Sequence, residues 1–155
     1  MNPRVVTVFG GSGFLGRHLV KRLAAEGAIV RVAVRDPEGT NYLKPLGDVG
    51  QIVPWPADVT DRALVGAAVA GADTVVNLVG ILFERGRSTF QRVHVEGAAN
   101  VAAAAKEAGA RRLVQVSALG ADANSPADYG RTKAAGEVAA LDAFPDATVV
   151  RSSVV

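Results

Sequence analysis

With 155 residues, 49% apolar and 21% charged, the chain has material for one globular core, and its composition excludes a disordered polymer. A net charge of +2 sets up no field for a polyanion, so nucleic acid is not an expected partner. No cysteine is present, and the two histidines, His18 and His94, are too few for a zinc centre, so no metal is expected.

Met1-Asn2-Pro3-Arg4 leads directly into an apolar run without a secretory pattern, and no run approaches the ~18 residues of a membrane helix. The expectation is a soluble, intracellular-type domain with no transmembrane segment. Val5 to Phe9 reads as a strand, and four glycines fall within the seven residues Gly10 to Gly16. Leu15, Leu19, Leu23 and Ala24 then recur at helical spacing until Gly27. A strand, glycine turn and helix in this order present bare N–H groups at the positive end of a helix dipole, where a phosphate can sit. A nucleoside triphosphate loop needs Lys and a hydroxyl after its last glycine. Arg17-His18 stands there instead, so no Mg²⁺ ligand is supplied. Dinucleotide binding is favoured over a glycine turn that merely packs helix on strand, because a second strand follows at the right distance.

That strand covers Ala28 to Val34 and ends in Arg35-Asp36-Pro37. An acidic residue here would take a ribose 2′-hydroxyl, whereas an arginine accommodates a 2′-phosphate. Arg35 tilts the choice toward NADP(H), with NAD(H) the alternative; a solvated Arg35–Asp36 turn pair is the bland reading. Asn41 to Gly47 has room for a short helix limited by Pro45. Gln51 to Trp55 is a third strand, and its prolines suggest a sheet edge. Asp58-Val59-Thr60-Asp61 supplies a cap and an acidic first turn for a helix through Ala70.

Asp73 to Val79 is a fourth strand, apolar enough to be covered on both faces. Thr89 to Ala108 reads as one long helix, and Arg112 to Ser117 as a fifth strand. Ser125-Pro126-Ala127-Asp128 looks like a capping box with proline at the first helical position, opening a helix past Val138. Thr148 begins a sixth strand that runs to Val155. The alternation predicts an α/β, Rossmann-type doubly wound parallel sheet with helices on both faces, truncated after strand 6.

Tyr129 and Lys133 lie four apart, on one face of the last helix. An ammonium beside a phenol favours the phenolate, which suits acid–base work on a carbonyl or carbinol. Such a pair also arises by chance on a helix surface. Its place after the fifth strand is what points it toward the cleft of the glycine loop.

Assembled, these residues resemble the short-chain dehydrogenase/reductase superfamily in its atypical, extended branch, over essentially the whole chain. Gly10-Gly11-Ser12-Gly13-Phe14-Leu15-Gly16 is similar to its glycine loop, which implies that this stretch holds the pyrophosphate. Asp58-Val59 is similar to the pair that holds adenine, and Asn77-Leu78-Val79-Gly80 occupies the place of the motif whose backbone lies along the cofactor. Tyr129 and Lys133 match the catalytic pair, with Lys133 implied on the nicotinamide ribose and Ser117 as supporting hydroxyl. The glycine motif extended to Phe9 through Arg17, the Asn77 motif extended through Glu84, and Asp142-Ala143-Phe144-Pro145 further resemble the NAD(P)-binding accessory subunits of respiratory complex I and their bacterial relatives. That group implies a tightly held NADPH, complex I subunits as partners, a cytoplasmic place at the inner face of an energy-transducing membrane, and a structural or regulatory role.

Three departures bear on catalysis. His94 stands where an asparagine usually supports a proton relay; a satisfied helix histidine is an equal reading. Ala118 follows Ser117 where a second serine is usual, and Ser152 stands where proline often lies beside the nicotinamide. Binding motifs are intact while catalytic support is eroded. The alternative is an active reductase or nucleotide-sugar epimerase or dehydratase using Tyr129 and Lys133. Residues 1–155 are expected to form the cofactor domain alone, without the smaller C-terminal substrate domain of extended members.

Overall fold

In the computed structural model, which describes residues 2–153, six parallel strands form one sheet in the order β3-β2-β1-β4-β5-β6. The strands are β1 (Val5–Phe9), β2 (Ile29–Val34), β3 (Ile52–Pro56), β4 (Thr74–Asn77), β5 (Arg112–Ala118) and β6 (Thr148–Ser152). Four α-helices connect them: α1 (Phe14–Ala25), α2 (Arg62–Val69), α3 (Gly97–Glu107) and α4 (Asp128–Ala143). The chain winds outward from β1 in one direction and returns to continue in the other. This order puts a topological switch between β1 and β4, where ligands of open α/β sheets bind.

Two apolar layers hold the sheet. On one face Val6, Val8, Val30, Val32 and Val76 pack against Val20 and Ala24 of α1 and against Leu43. On the other, Phe9, Val75 and Leu113 pack against Val65 and Val69 of α2, Val101 of α3 and Ala140 of α4. Burial of each such Val or Leu stabilises by about 1.5–3 kcal/mol, an upper estimate against a compact unfolded chain. Pro54 and Pro56 sit in β3 at the sheet edge, where their missing N–H groups break no inner ladder.

Several boundaries depart from the sequence expectation. The short helix after β2 is a 3₁₀ segment, Glu38–Leu46, which starts three residues before Asn41 and carries Pro45 in its last turn. The expected continuous helix from Thr89 divides into a π-helical stretch, Gln91–Glu96, followed by α3. At the junction α4 comes so close that a Cβ on Gly136 would run into the His94 carbonyl, and one on Gly97 would lie 2.7 Å from Val59 Cγ2. The expected capping box does not form either. α4 begins at Asp128 with Ala127 at its cap and no side-chain capping bond, while the Ser125 hydroxyl accepts the Ala127 N–H at 3.2 Å. Gly130 docks on that loop, with the position of a Cβ only 2.6 Å from Ser125 Oγ. The part of the sixth strand expected at Val154 and Val155 lies outside the described residues.

Candidate functional site

Strand register brings the site together. Phe9 pairs with Ala33 of β2 on one side and Asn77 of β4 on the other, so Gly10, Arg35 and Leu78 emerge at one edge of the sheet. Gly10 donates to the Ala33 carbonyl at 3.2 Å and turns the chain at φ 74°, a left-handed conformation that a side chain would strain. The turn closes tightly. A Cβ on Gly16 would stand 2.6 Å from the Cα of Gly11, against rigid backbone. Gly13 caps α1 without a side-chain partner, and no acidic residue occupies the first turn. The N–H groups of Phe14, Leu15 and Gly16 therefore lack intrahelical acceptors. The Tyr42 hydroxyl donates to the Ser12 carbonyl at 3.0 Å and ties the loop to the 3₁₀ segment.

In front of this loop lies a groove of about 670 Å³, lined by Gly10, Ser12 and Gly13, by Arg35, by Asp58 to Asp61, and by Leu78 to Ile81. Burial alone would raise the Asp58 carboxyl, but the Thr60 N–H at 2.9 Å and hydroxyl at 2.7 Å, with Arg35 and Arg92 adding their charge, hold it below the ordinary carboxylate value. Val59 turns its side chain into the core, and Asn100 Nδ2 donates to its carbonyl at 2.9 Å. Asn77 fixes the opposite wall: its Oδ1 accepts the Val79 N–H at 3.1 Å and its Nδ2 donates to Gln115 at 3.0 Å. Asp36 accepts the Gly39 N–H at 3.2 Å and forms no ion pair with Arg35. A cavity of about 740 Å³ behind the 3₁₀ segment has an apolar lining that includes Pro37, Pro45, Val49, Ile52 and Pro54, with Glu38, Asn41, Lys44 and Asp48 also bordering it.

The residues around Tyr129 form a cluster that adjoins the Gly80–Ile81 wall of the groove, where a Cβ on Gly80 would lie 3.6 Å from Lys133 Nζ and 3.7 Å from His94 Nε2. His94 is buried, its Nε2 accepting the Ile81 N–H at 3.0 Å and its Nδ1 lying 3.0 Å from Thr132 Oγ1. Burial and, second, the nearby Lys133 charge push His94 down to about 4, so the ring is neutral at ordinary pH. The Thr132 hydroxyl donates to the Asp128 carbonyl at 2.8 Å, which leaves His94 Nδ1 to carry the ring proton and donate to Thr132 Oγ1. The Tyr129 ring packs edge-on against His94 at 5.3 Å and against Phe90 at 6.1 Å, and its hydroxyl makes no hydrogen bond among the described residues.

Lys133 is buried, which depresses its ammonium, and Nζ donates to the Val116 carbonyl at 3.3 Å. No hydrogen bond joins it to Tyr129 among the described residues, so the two side chains expected on one face are oriented by different partners. Ser117 faces inward on β5, and its buried Oγ lacks a partner of hydrogen-bonding geometry. The nearby Glu137 carboxylate is held charged against its burial by the Arg151 fork at 2.9 and 2.8 Å.

Several functional neighbours had not been expected from the sequence. Arg87 and Arg92 reach the groove from the segment after β4, and Arg151 clamps Glu137 from β6. The run of arginines at 85, 87 and 92 between a strand and a helix was the available signal for the first two.

A doubly wound sheet with an uncapped helix N-terminus and a groove at the switch point defines a dinucleotide-binding domain. A family model described as NAD(P)H-binding matches residues 10–153, and the chain belongs to that family. Among curated proteins it is 44% identical, over 95% of its length, to the mitochondrial NADH dehydrogenase [ubiquinone] 1 alpha subcomplex subunit 9 of Arabidopsis thaliana, of which the match covers 37%. A ceramide reductase of Caulobacter vibrioides is 39% identical over 95% of the chain and 45% of that protein. The chain thus spans about two fifths of the length of these relatives. Among solved structures, a short-chain dehydrogenase/reductase superfamily protein of Agrobacterium tumefaciens with bound NAD superposes with a TM-score of 0.75 at 24% identity, over 96% of this chain and 48% of that one, and shares the fold.

Proposed function

We propose that this chain holds NADP(H) as a structural or regulatory group within a complex I-type assembly. The observation that carries the cofactor part is the closed glycine turn, with its free first-turn N–H groups, opening onto the same groove as Arg35. Gly10, Gly13 and Gly16 permit close approach of the pyrophosphate, and the backbone from Ser12 through Leu15 faces it. Asp58 and Val59 border the adenine, with Leu78, Val79 and Gly80 opposite. Arg35 at the end of β2 supports NADP(H) over NAD(H), and the Gly39 N–H on Asp36 offsets part of the repulsion that a 2′-phosphate would meet there. The similarity to the alpha subcomplex subunit supports the assembly, and with it a peripheral place at an energy-transducing membrane; no helix among the described residues is long and apolar enough to cross one.

A bound nicotinamide supplies hydride chemistry. Tyr129 and Lys133 are the residues that would stand beside it, as proton donor and ribose ligand, with Ser117 as support. The cluster is poorly arranged for proton transfer. Neutral His94 and Thr132 are bonded to neighbours, the Ser117 hydroxyl is buried, and Ala118 supplies no hydroxyl at the strand end. The second reading, an active reductase, is favoured by the retained Tyr129 and Lys133 and by the similarity to the ceramide reductase. Equilibrium titration with NADPH and NADH tests the first reading: NADPH binds more tightly, and replacing Tyr129 by Phe leaves its affinity within about twofold. Steady hydride transfer to a carbonyl compound that disappears in Tyr129→Phe establishes the second reading instead.

A further inference from the structure

Arg92 stands in the first turn of the π-helical stretch and is half-buried, and its side chain borders the same groove as Arg35. The two come from opposite sides of β1, Arg35 from the end of β2 and Arg92 from the segment after β4. Its backbone is fixed, because the Arg92 N–H donates to Thr89 Oγ1 at 3.2 Å. Its guanidinium is fixed as well, through an Nη1 bond to the Arg87 carbonyl at 3.1 Å. One donor of five is engaged there, and four remain. Arg35, Arg87 and Arg92 form no ion pair among the described residues, as is also true of arginines 17, 31, 85 and 112, but these three alone line the groove. Asp58, between them, already has Thr60 on one oxygen.

Arg92 shares the Asp58 carboxylate with Arg35 at longer range, and its remaining donors are open to a further anion. The pyrophosphate already has the α1 N-terminus and the glycine turn. The remaining strongly anionic group of the proposed ligand is the monoester at the adenosine 2′ position.

We propose that Arg92 is the second arm of a two-guanidinium clamp, closing on the 2′-phosphate from the side opposite Arg35. The inference rests on the dinucleotide reading above. It assigns a selectivity role to a residue outside the glycine loop and the end of β2. A fork that reaches a phosphate from each side satisfies several of its oxygens at once, which one arginine cannot do. Holding Arg92 on the Arg87 carbonyl before binding lowers the ordering cost and makes the clamp selective.

The test measures dissociation constants of the full chain for NADPH, NADH, 2′,5′-ADP and 5′-AMP, in wild type and in Arg92→Ala, Arg92→Lys and Arg35→Ala. Arg92→Ala weakens NADPH and 2′,5′-ADP about tenfold and changes NADH and 5′-AMP less than about twofold, with Arg92→Lys between, because lysine lacks the fork. Unchanged thermal unfolding of each variant shows that the fold is intact. Equal losses for NADPH and NADH overturn the proposal, since they place Arg92 on the adenine or in a general field. No loss for either also overturns it. If wild type binds neither dinucleotide, the cofactor reading itself falls. If Arg35→Ala alone abolishes the preference for NADPH, the clamp falls and the cofactor reading stands.

Discussion

The groove wall and the α4 cluster use similar side chains to different ends. Along the wall, the first-turn N–H groups of α1 and the Arg35 side chain border the groove without protein partners, and Arg92 keeps donors free beyond its one bond to the Arg87 carbonyl. Around α4, His94, Thr132, Lys133 and Glu137 have turned onto neighbours: the Ile81 N–H, the Asp128 and Val116 carbonyls, and Arg151. Free donors suit a ligand, and satisfied donors suit a scaffold. The same sheet edge therefore carries a receptive half and a largely closed half, in which the Tyr129 and Ser117 hydroxyls keep no partner among the described residues.

Breaking the receptive half gives the largest effect. In Gly16→Val the new side chain meets the Gly10 and Gly11 backbone, which cannot yield. Nucleotide affinity falls at least about a hundredfold by titration, and urea unfolding shows a loss of about 3 kcal/mol.

The closed half responds to acid. His94 titrates at about 4 in the folded chain and near its ordinary 6.5 when unfolded, so between these values the unfolded state binds more protons. Stability is therefore full above pH 6.5 and falls as pH drops through this window, by about 2–3 kcal/mol near pH 4.5. His94→Asn flattens that dependence in urea unfolding series between pH 7.5 and 4.5, whereas a dependence unchanged in the variant assigns it to other groups.

A smaller effect tests the contact that shapes both halves. Gly136→Ala pushes α4 off the His94 carbonyl, and the overpacking lowers stability by about 2 kcal/mol in the same assay. Smallest of all is Tyr129→Phe. Its hydroxyl has no partner among the described residues, so thermal unfolding stays within about 0.5 kcal/mol of wild type.

Much of the receptive half was legible in the sequence because its determinants are local. A turn that needs glycine at Gly10 and Gly16, an apolar strand before it, and Arg35 at the next strand end all act within a few residues. The edge position of β3 was legible in Pro54 and Pro56 for the same reason. The closed half was not, because its partners meet across long stretches of chain. Only the fold shows that His94 bonds Ile81 and Thr132 together, that Lys133 finds the Val116 carbonyl, or that Arg151 reaches back to Glu137. The π-helical stretch escaped as well, since the apolar spacing from Phe90 to Val101 fits an ordinary helix and the close packing at Gly136 resets it. Arg92 was missed for a simpler reason: an arginine in a helix reads as solvated until a groove is found beside it.

A groove that holds NADP(H) on an uncapped helix terminus and its arginines should retain the nucleotide through purification. The most direct measurement is the mass and absorbance of the nucleotide released when the purified full chain is denatured, followed by titration of any nucleotide-free fraction. NADP(H) in stoichiometric amount, regained by the empty fraction on titration, is the predicted result. Release of NAD(H), or a chain that takes up neither dinucleotide, contradicts it.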